Sequence, residues 1–398
     1  MVALGLAVAQ AAAQVPPTPT PFLDGRAREL DVPSTRTSTE APPGLDAIRI
    51  GYFGPADPAH PSGGDLWLAA SMAVEEANAG GGYHGLPFLL VPAWSDNPWA
   101  GGARDLARLA FDDRVLALIG GIDGPTTHLA EQVATKALLP LLSPVATDPT
   151  VTRAYVPWVL SLQPSDAAIA RPLAEVAATR VGDGRLAVVA STDHDSHIAL
   201  VELRRALSSA GVPLSHLLEL DPGSPGFESG LGPSLAELPA AALIVAGPND
   251  SARAVQTLRR MGLTGPVLGA MSFARRRFLE ALGPGAGEVI GPQMVTPSAT
   301  WDGFACRFAE RSGRRADFAA AGAYDAVRLL VAAIHQAGLE RSRIAEALRA
   351  LSPFAGVAGE ISFDSLGQNQ RQLRAVEISA PVGGPTPPTT AHADGERP

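Results

Sequence analysis

The sequence predicts an α/β protein with two doubly wound lobes, each built on a parallel sheet. Short apolar runs of strand length alternate with segments of helical spacing, and this alternation occurs in two series that begin near Ile48 and Leu186. Such alternation is typical of parallel sheets covered by helices on both faces. At 398 residues the chain also exceeds one typical domain, which favours two lobes.

The first series opens with a strand and a Gly/Pro-rich loop, and the triple glycine at 80–82 ends its first helix. The predicted strands are 48–53, 87–94, 115–119, 138–142 and 158–162, and the predicted helices are 66–78, 99–111 and 125–138. A helix that runs up to Val181 then leads into the second series.

The second series repeats the same alternation, and glycines end two of its helices. The predicted strands are 186–190, 214–220, 241–246, 267–270 and 289–295, and the predicted helices are 196–210, 227–238 and 251–261. Three further helices follow at 301–311, 319–337 and 344–351, and the segments 359–363 and 373–378 are predicted to form a β-hairpin.

Composition excludes several functional classes. A net charge of −9, with no basic cluster larger than 275–277, argues against nucleic-acid binding, which needs a basic face. Lys136 is the only lysine, which disfavours Schiff-base and P-loop chemistry. The single Cys306 leaves no intrachain disulfide and no cysteine-based zinc site, and it is predicted to be a small buried residue.

The ends of the chain differ in composition from its middle. Residues 1–13 are apolar and end in three alanines, which predicts part of a signal peptide. Residues 14–47 are rich in proline and threonine and are predicted to be a linker, and residues 381–398 a disordered tail. Because no cysteine lies near the predicted cleavage site, we expect an exported periplasmic protein without a lipid anchor.

The stretch 115–149 contains the first candidate site. It is predicted to form a strand, a turn, a helix, a second strand and a second turn, and both turns lie at carboxyl ends of strands, where such sheets bind ligands. Asp123 or Gly124 can cap the helix and Pro125 suits its first position. Free amides there would attract an anion. An ordinary capped helix is the alternative.

Several strings, in order along the chain, resemble the leucine/isoleucine/valine-binding protein family, the type I substrate-binding proteins of amino-acid and amide ABC transporters. The strings are IRIGYFGP, AVEEANAGGGYHG, VLALIGGIDGPTTHLA with LLSPVATDP, AAGAYDAVRLL and GEISFDSLGQ. The resemblance implies a periplasmic binding protein type I fold with a hinge of three crossovers near Gln163, Thr296 and Pro353. It assigns 48–162 and 297–352 to lobe 1, and 163–296 and 353–380 to lobe 2.

The resemblance also implies a ligand site between the lobes, which this sequence changes at several positions. Gly124 stands where the family has a serine, and the loop 193–197 lacks the family's aromatic residue. The acidic residue that pairs with a ligand ammonium falls near Met271, so a plain branched-chain amino acid is not favoured. Asp193 or Asp195 could neutralise an ammonium from a new direction.

The predicted ligand-binding residues come from both lobes. They are His60, Ser62, Asp123, Gly124, Thr126, Val145, Ala146, Thr147, His194, Asp195, Asn249 and Met271. His194 and His197, with the aspartates beside them, could instead bind a metal, but a solvated loop is the favoured interpretation. No cofactor, metal site or catalytic residue is therefore predicted.

The predicted function is that of a periplasmic solute-binding component of an ABC importer. Its partners would be a small polar or amino-acid-like ligand, held by closure of the lobes, and an inner-membrane permease. The alternative is a receptor of the same fold that signals to a regulator. An enzyme is disfavoured because no nucleophile or metal-protease motif is present.

Overall fold

The structure, a computed structural model, describes residues 45–95, 97–181, 184–223, 230–231 and 237–378. The predicted leader, most of the linker, most of the helix at 227–238 and the tail lie outside these residues. The strands are β1 (Ile48–Phe53), β2 (Phe88–Ala93), β3 (Leu118–Gly120), β4 (Leu141–Ser143), β5 (Val159–Pro164), β6 (Leu186–Ser191), β7 (Leu214–Leu220), β8 (Ala241–Val245), β9 (Val267–Gly269), β10 (Val289–Pro292), β11 (Phe354–Gly356), β12 (Gly359–Ile361), β13 (Gln368–Asn369) and β14 (Ala375–Glu377).

Helices cover these strands, and several start at side-chain caps such as Asp123, Asp193 and Asp317. They are α1 (Gly64–Ala79), α2 (Pro98–Ala107, continued by a π-helical turn at Arg108–Asp112), α3 (Gly124–Ala137), α4 (Thr150–Arg153), α5 (Asp166–Val181), α6 (His194–Ser209), α7 (Pro248–Arg260), α8 (Arg276–Leu282), α9 (Ala299–Ser312), α10 (Phe318–Ala337) and α11 (Arg341–Ala350).

Two six-stranded sheets organise the described chain, one in each lobe. The first has the order β13-β5-β4-β3-β1-β2 and the second has the order β14-β10-β9-β8-β6-β7. All pairs are parallel except that of β14 with β10. The predicted fold class, two doubly wound lobes, is confirmed. Continuous apolar strands such as β4 and β8 are fully buried because helices cover both faces.

Helix α10 lies in the core of the first lobe, against α1. It is the one described helix long and apolar enough to cross a membrane, but 78% of that window is buried inside the protein, as in a core helix. At Gly322 its backbone approaches the loop after β4 so closely that a Cβ would lie 2.1 Å from the Pro144 carbonyl oxygen. The position therefore requires glycine.

Three structural predictions are wrong. Segments 359–363 and 373–378 do not form one hairpin, since β12 pairs with β11 and β14 pairs with β10 in the second sheet. Assignment of 353–380 to lobe 2 fails for β13, which joins the first sheet beside β5. Cys306 is exposed, because it lies on the solvent side of α9.

The third crossing between the sheets therefore lies after Asn369 and not near Pro353. Side-chain amides explain why β13 stays in the first lobe: Gln368 donates to the Gln163 carbonyl (2.6 Å) and Asn369 donates to the Leu162 carbonyl (2.7 Å). Gln163 in turn donates to the Pro144 carbonyl (2.8 Å). These bonds satisfy backbone groups where β5 leaves the first sheet.

Arg371 joins the second and third crossings. Its guanidinium donates to the carbonyls of Ala358 and Met294, both at 2.7 Å, and burial lowers its pKa to about 10. A charged donor that serves two backbone carbonyls in a buried place fixes where the chain can bend.

We expect Arg371→Met to reduce the free energy of unfolding by about 1–3 kcal/mol, since two buried carbonyls lose their donor. Urea denaturation followed by circular dichroism measures it. Arg343→Met is the matched control, because Arg343 forms only a surface pair with Glu340 and such pairs contribute about 0–1 kcal/mol. Equal losses in the two variants would contradict the role given to Arg371.

Candidate functional site

A cavity of about 320 Å³ lies between the lobes, at the carboxyl ends of strands from both sheets. The first lobe contributes Pro61, Ser62, Ile122, Asp123 and Thr147. The second lobe contributes Asp166, Asp193, Asp195, Ser196, Ala199, Pro222, Val245, Ala246, Gly247, Pro248, Asn249, Ala270, Met271, Ser272, Arg275 and Arg277. Its walls thus combine carboxylates, two arginines and an apolar face.

Half of the predicted ligand-binding residues line this cavity. They are Ser62, Asp123, Thr147, Asp195, Asn249 and Met271. The other six, His60, Gly124, Thr126, Val145, Ala146 and His194, lie beside it. Among these, the His60 ring accepts hydrogen bonds from the amides of Ser62 (3.2 Å) and Gly63 (3.1 Å) and so shapes the first loop.

Val145 and Ala146 serve the core of the first lobe. Their side chains are 2% and 3% exposed, respectively. The Ala146 carbonyl accepts a hydrogen bond from the Ser161 hydroxyl (3.2 Å). A ligand amine bound to this oxygen would therefore share it with Ser161.

The amino terminus of α3 is the anion site expected from the sequence, and the protein supplies the anion. Asp123 caps the helix by accepting from the Thr126 amide (2.9 Å) and hydroxyl (2.5 Å), so Thr126 serves the turn. The Gly124 amide donates to both oxygens of Asp195, at 3.1 and 3.2 Å. Asp195 belongs to α6 in the second lobe, so this contact crosses the cleft.

Glycine at position 124 makes that contact possible. A Cβ there would lie 2.3 Å from Asp195 Oδ1, well inside van der Waals contact. The residue that replaces the family's serine thus removes one hydroxyl and admits a carboxylate from the opposite lobe. The carboxylate occupies the helix terminus at which the sequence predicted a ligand's polar end.

Asp166 is the main site residue that sequence reasoning missed. It begins α5, directly after the first crossing between the sheets. An aspartate at the amino terminus of a helix is typical of a helix cap. In the structure Asp166 is 3% exposed, and its amide donates to the Thr147 carbonyl (2.7 Å). Its position immediately after a strand that ends at the cleft was the available signal.

The two buried carboxylates have strongly raised pKa values. Burial raises the pKa of Asp166 to about 8, and the neighbouring charges of Asp195 and Asp148 add to this, while a hydrogen bond from Thr147 opposes it. Burial likewise raises the pKa of Asp195 to about 7, with a contribution from Asp123. No salt bridge joins either carboxylate to an arginine or lysine of the described chain.

Three consecutive arginines follow the short 3₁₀ turn at Met271–Ala274 in the second lobe. Arg275 pairs with Asp317 (2.9 Å) and Arg276 with Asp65 (2.8 Å), both acceptors lying in the first lobe. Arg277 also lines the cavity, and its buried Nε has no hydrogen-bond partner among the described residues. The first two arginines thus hold the lobes together, and the third can meet an anionic group.

The lobes also touch on the opposite side of the cavity. His194 Nε2 lies 3.0 Å from Asp148 Oδ2, and Arg153 lies 3.3 Å from Glu202. His197, which the sequence paired with His194, is exposed one turn further along α6. The structure thus holds the cleft closed by polar contacts on both sides.

The chain matches the model of the periplasmic binding protein family over residues 47–384, and it belongs to that family. A solved structure of the branched-chain amino acid transporter substrate binding protein LivJ from Streptococcus pneumoniae, in complex with isoleucine, has a TM-score of 0.73 at 20% identity, covering 83% of this chain and 100% of that chain. This likeness confirms the predicted type I two-lobe fold.

Two curated relatives match shorter segments. The amino acid binding protein of Pseudomonas aeruginosa is 32% identical over 109 residues, 27% of this chain and 29% of that protein. The chemotactic signal transduction system substrate-binding protein BasB of Halobacterium salinarum is 38% identical over 91 residues, 23% of this chain and 22% of that protein. The chain thus matches less than a third of each relative's length.

We expect Gly124→Ala to open the ligand-free protein, because the added methyl group displaces the Asp195 carboxylate and removes a hydrogen bond to a charged group worth about 1.5–3 kcal/mol. Small-angle X-ray scattering should show a larger radius of gyration than for the parent protein. Gly247→Ala is the matched control, since a Cβ there meets nothing within 4 Å. Identical scattering from both variants would refute a closing role for Asp195.

Proposed function

We propose that this protein is the solute-binding component of an ABC importer, acting outside the cytoplasmic membrane, and that its ligand carries an ammonium group. The observation that carries the proposal is a pair of carboxylates, the buried Asp166 and the partly buried Asp195, that line one cavity and have no arginine or lysine partner among the described residues. A buried carboxylate is costly until a cation accompanies it. A ligand ammonium would supply that cation and lower both pKa values.

The remaining lining supports an amino-acid-like ligand. Arg277 Nε is a donor without a hydrogen-bond partner in the described part of the chain, which suits a ligand carboxylate. Val245, Ala246 and Met271 give an apolar wall for a side chain. The similarity to the amino acid binding protein of Pseudomonas aeruginosa supports the same ligand class. Asn249 and Ser196 add polar contacts that would select among such ligands.

In this proposal the protein works by binding and not by catalysis. Closure buries the ligand between the lobes, and the joined outer surfaces are then recognised by a permease. Because Asp195 already contacts Gly124, a ligand would bind beside that contact and strengthen it. The ligand's contacts to both lobes supply the differential affinity that shifts the population towards the closed form.

The ligand class can be tested with chemically trimmed probes. We expect at least one of the twenty common L-amino acids to raise the melting temperature of the purified protein. Its N-acetyl derivative, which lacks the ammonium, should fail to do so, and its amide, which lacks the carboxylate, should act more weakly. An N-acetyl derivative that stabilises the protein as well as the free amino acid would overturn the ammonium assignment.

Asp166→Asn should weaken binding of that amino acid, because a buried charge pair that loses one partner costs about 3–5 kcal/mol. Since the empty protein is relieved of a buried carboxyl, its melting temperature should stay level or rise, which separates lost binding from misfolding. Titration calorimetry on this variant and on Glu219→Gln, an exposed second-lobe residue outside the cavity, measures the difference. Comparable affinities in both variants would refute the role of Asp166.

A receptor role is the second candidate, favoured by the match to BasB, a substrate-binding protein of a chemotactic signal transduction system. Deletion of the gene separates the two. Loss of uptake of the radiolabelled amino acid supports the importer. Normal uptake with a lost behavioural or transcriptional response to the same compound supports the receptor.

A further inference from the structure

A cluster of metal-binding side chains lies beside the cavity, where the lobes touch. His128 Nε2 lies 3.1 Å and His194 Nε2 3.0 Å from the same oxygen, Oδ2 of Asp148, and all three atoms are within 4.8 Å of one another. His128 (on α3) and Asp148 (after β4) belong to the first lobe, and His194 begins α6 in the second. The chain therefore brings one potential ligand across the cleft to two others.

We propose that His128, Asp148 and His194 form a site for a divalent transition-metal ion such as Zn²⁺, which bridges the two lobes. Two imidazoles and a carboxylate are ligands that zinc prefers, with a fourth position left to water. Zinc–ligand bonds of about 2.0–2.2 Å place neighbouring ligand atoms roughly 3.4 Å apart in a tetrahedron. The two nitrogen–oxygen distances, 3.1 and 3.0 Å, are within a few tenths of an ångström of that spacing, and all three ligand atoms lie within 4.8 Å of one another.

The surroundings of these ligands match those of a metal site. His128 Nδ1 lies 3.0 Å from Oε2 of the buried Glu131, and a carboxylate on the far nitrogen orients metal-binding histidines. The other oxygen of Asp148 is held by the Thr150 amide (2.7 Å) and hydroxyl (2.6 Å). Oδ2 of Asp148 is thus the oxygen left to face both histidines.

Access to the site is also provided. The Asp148 side chain is 1% exposed, whereas His128 and His194 are 26% and 43% exposed, respectively. An ion can therefore enter from solvent past the two rings and meet a preformed carboxylate. The two nitrogen ligands select transition metals over calcium or magnesium, which prefer oxygen.

Without a metal, hydrogen bonds connect His128 and His194 to Asp148. Carboxylates on both nitrogens of His128, at Asp148 and Glu131, raise its pKa to about 9. Asp148 is held ionised, since hydrogen bonds from His128, Thr150 and His194 lower its pKa despite its burial. A bound metal would replace the proton on His128 Nε2, so its binding releases a proton. The contact of His194 with Asp148 already joins the lobes, and a bound metal would add His128 to that link.

The experiment uses the untagged full chain, treated with a chelator and dialysed into metal-free buffer. Titration calorimetry with ZnCl₂ should show one equivalent bound, and Co²⁺ should give the visible absorption of a four-coordinate site. His194→Ala and His128→Ala should each weaken zinc binding at least tenfold, and Glu131→Gln by about 10–100-fold through loss of its support. His197→Ala is the matched control on the same helix and should bind like the parent.

Absence of stoichiometric zinc binding by the parent chain would overturn the proposal. Equal zinc affinity in His194→Ala and His197→Ala would overturn it as well, because the ion would then lie elsewhere. Circular dichroism of each variant establishes that it folds, and the conservative His194→Gln serves if the alanine variant does not. The amino-acid titrations described above use metal-free protein, so failure of either proposal leaves the other intact.

Discussion

Hydrogen bonding of carboxylates across the cleft is the interaction on which the closed structure depends. Asp195 meets the amide of Gly124, and Asp65 receives Arg276 on the other side. Each of these groups would be costly to bury alone. Opening the cleft does not leave one partner buried and unpaired, however, because water reaches both partners at once. The net preference for the closed form can therefore be small, although the contacts themselves are strong.

Such a balance would allow the proposed ligand to control closure of the lobes. A ligand shifts the equilibrium between two conformations only by as much as its affinity differs between them. When the open and closed forms are nearly equal in free energy, a few ligand contacts in a cavity of about 320 Å³ are enough to shift the population between them. Burial raises the pKa values of Asp166 and Asp195, so both carboxylates would be stabilised by a nearby cation. The proposed ligand ammonium would supply that cation.

Sequence reasoning predicted the lobes well and the site only partly. Apolar runs such as β4 and β8 are buried on both faces, so local pattern is enough to identify them. The third crossing was misplaced because β13 is bound to β5, a strand distant in sequence. The side-chain amides of Gln368 and Asn369 in β13 donate to carbonyls of β5. Local pattern carries no information on such a contact.

The residues of the candidate site were likewise predicted only in part. Thr147 and Asp123 lie on loops that directly follow strands, and both were predicted and line the cavity. Asp166 was missed because its distinguishing property, deep burial beside another carboxylate, arises only when α5 and α6 come together. His128 was missed because its partners lie in two other segments of the chain.

The contact at Gly322 has a consequence for how the protein is made. The loop that carries Thr147 packs against α10, which is synthesised much later, and only glycine lets the two backbones approach so closely. The first lobe therefore cannot finish folding as it emerges. The second lobe is nearly continuous from α5 to β10 and lacks only the edge strand β14. Domains generally fold as units during synthesis, so all of the second lobe except β14 emerges before α10 can complete the core of the first lobe.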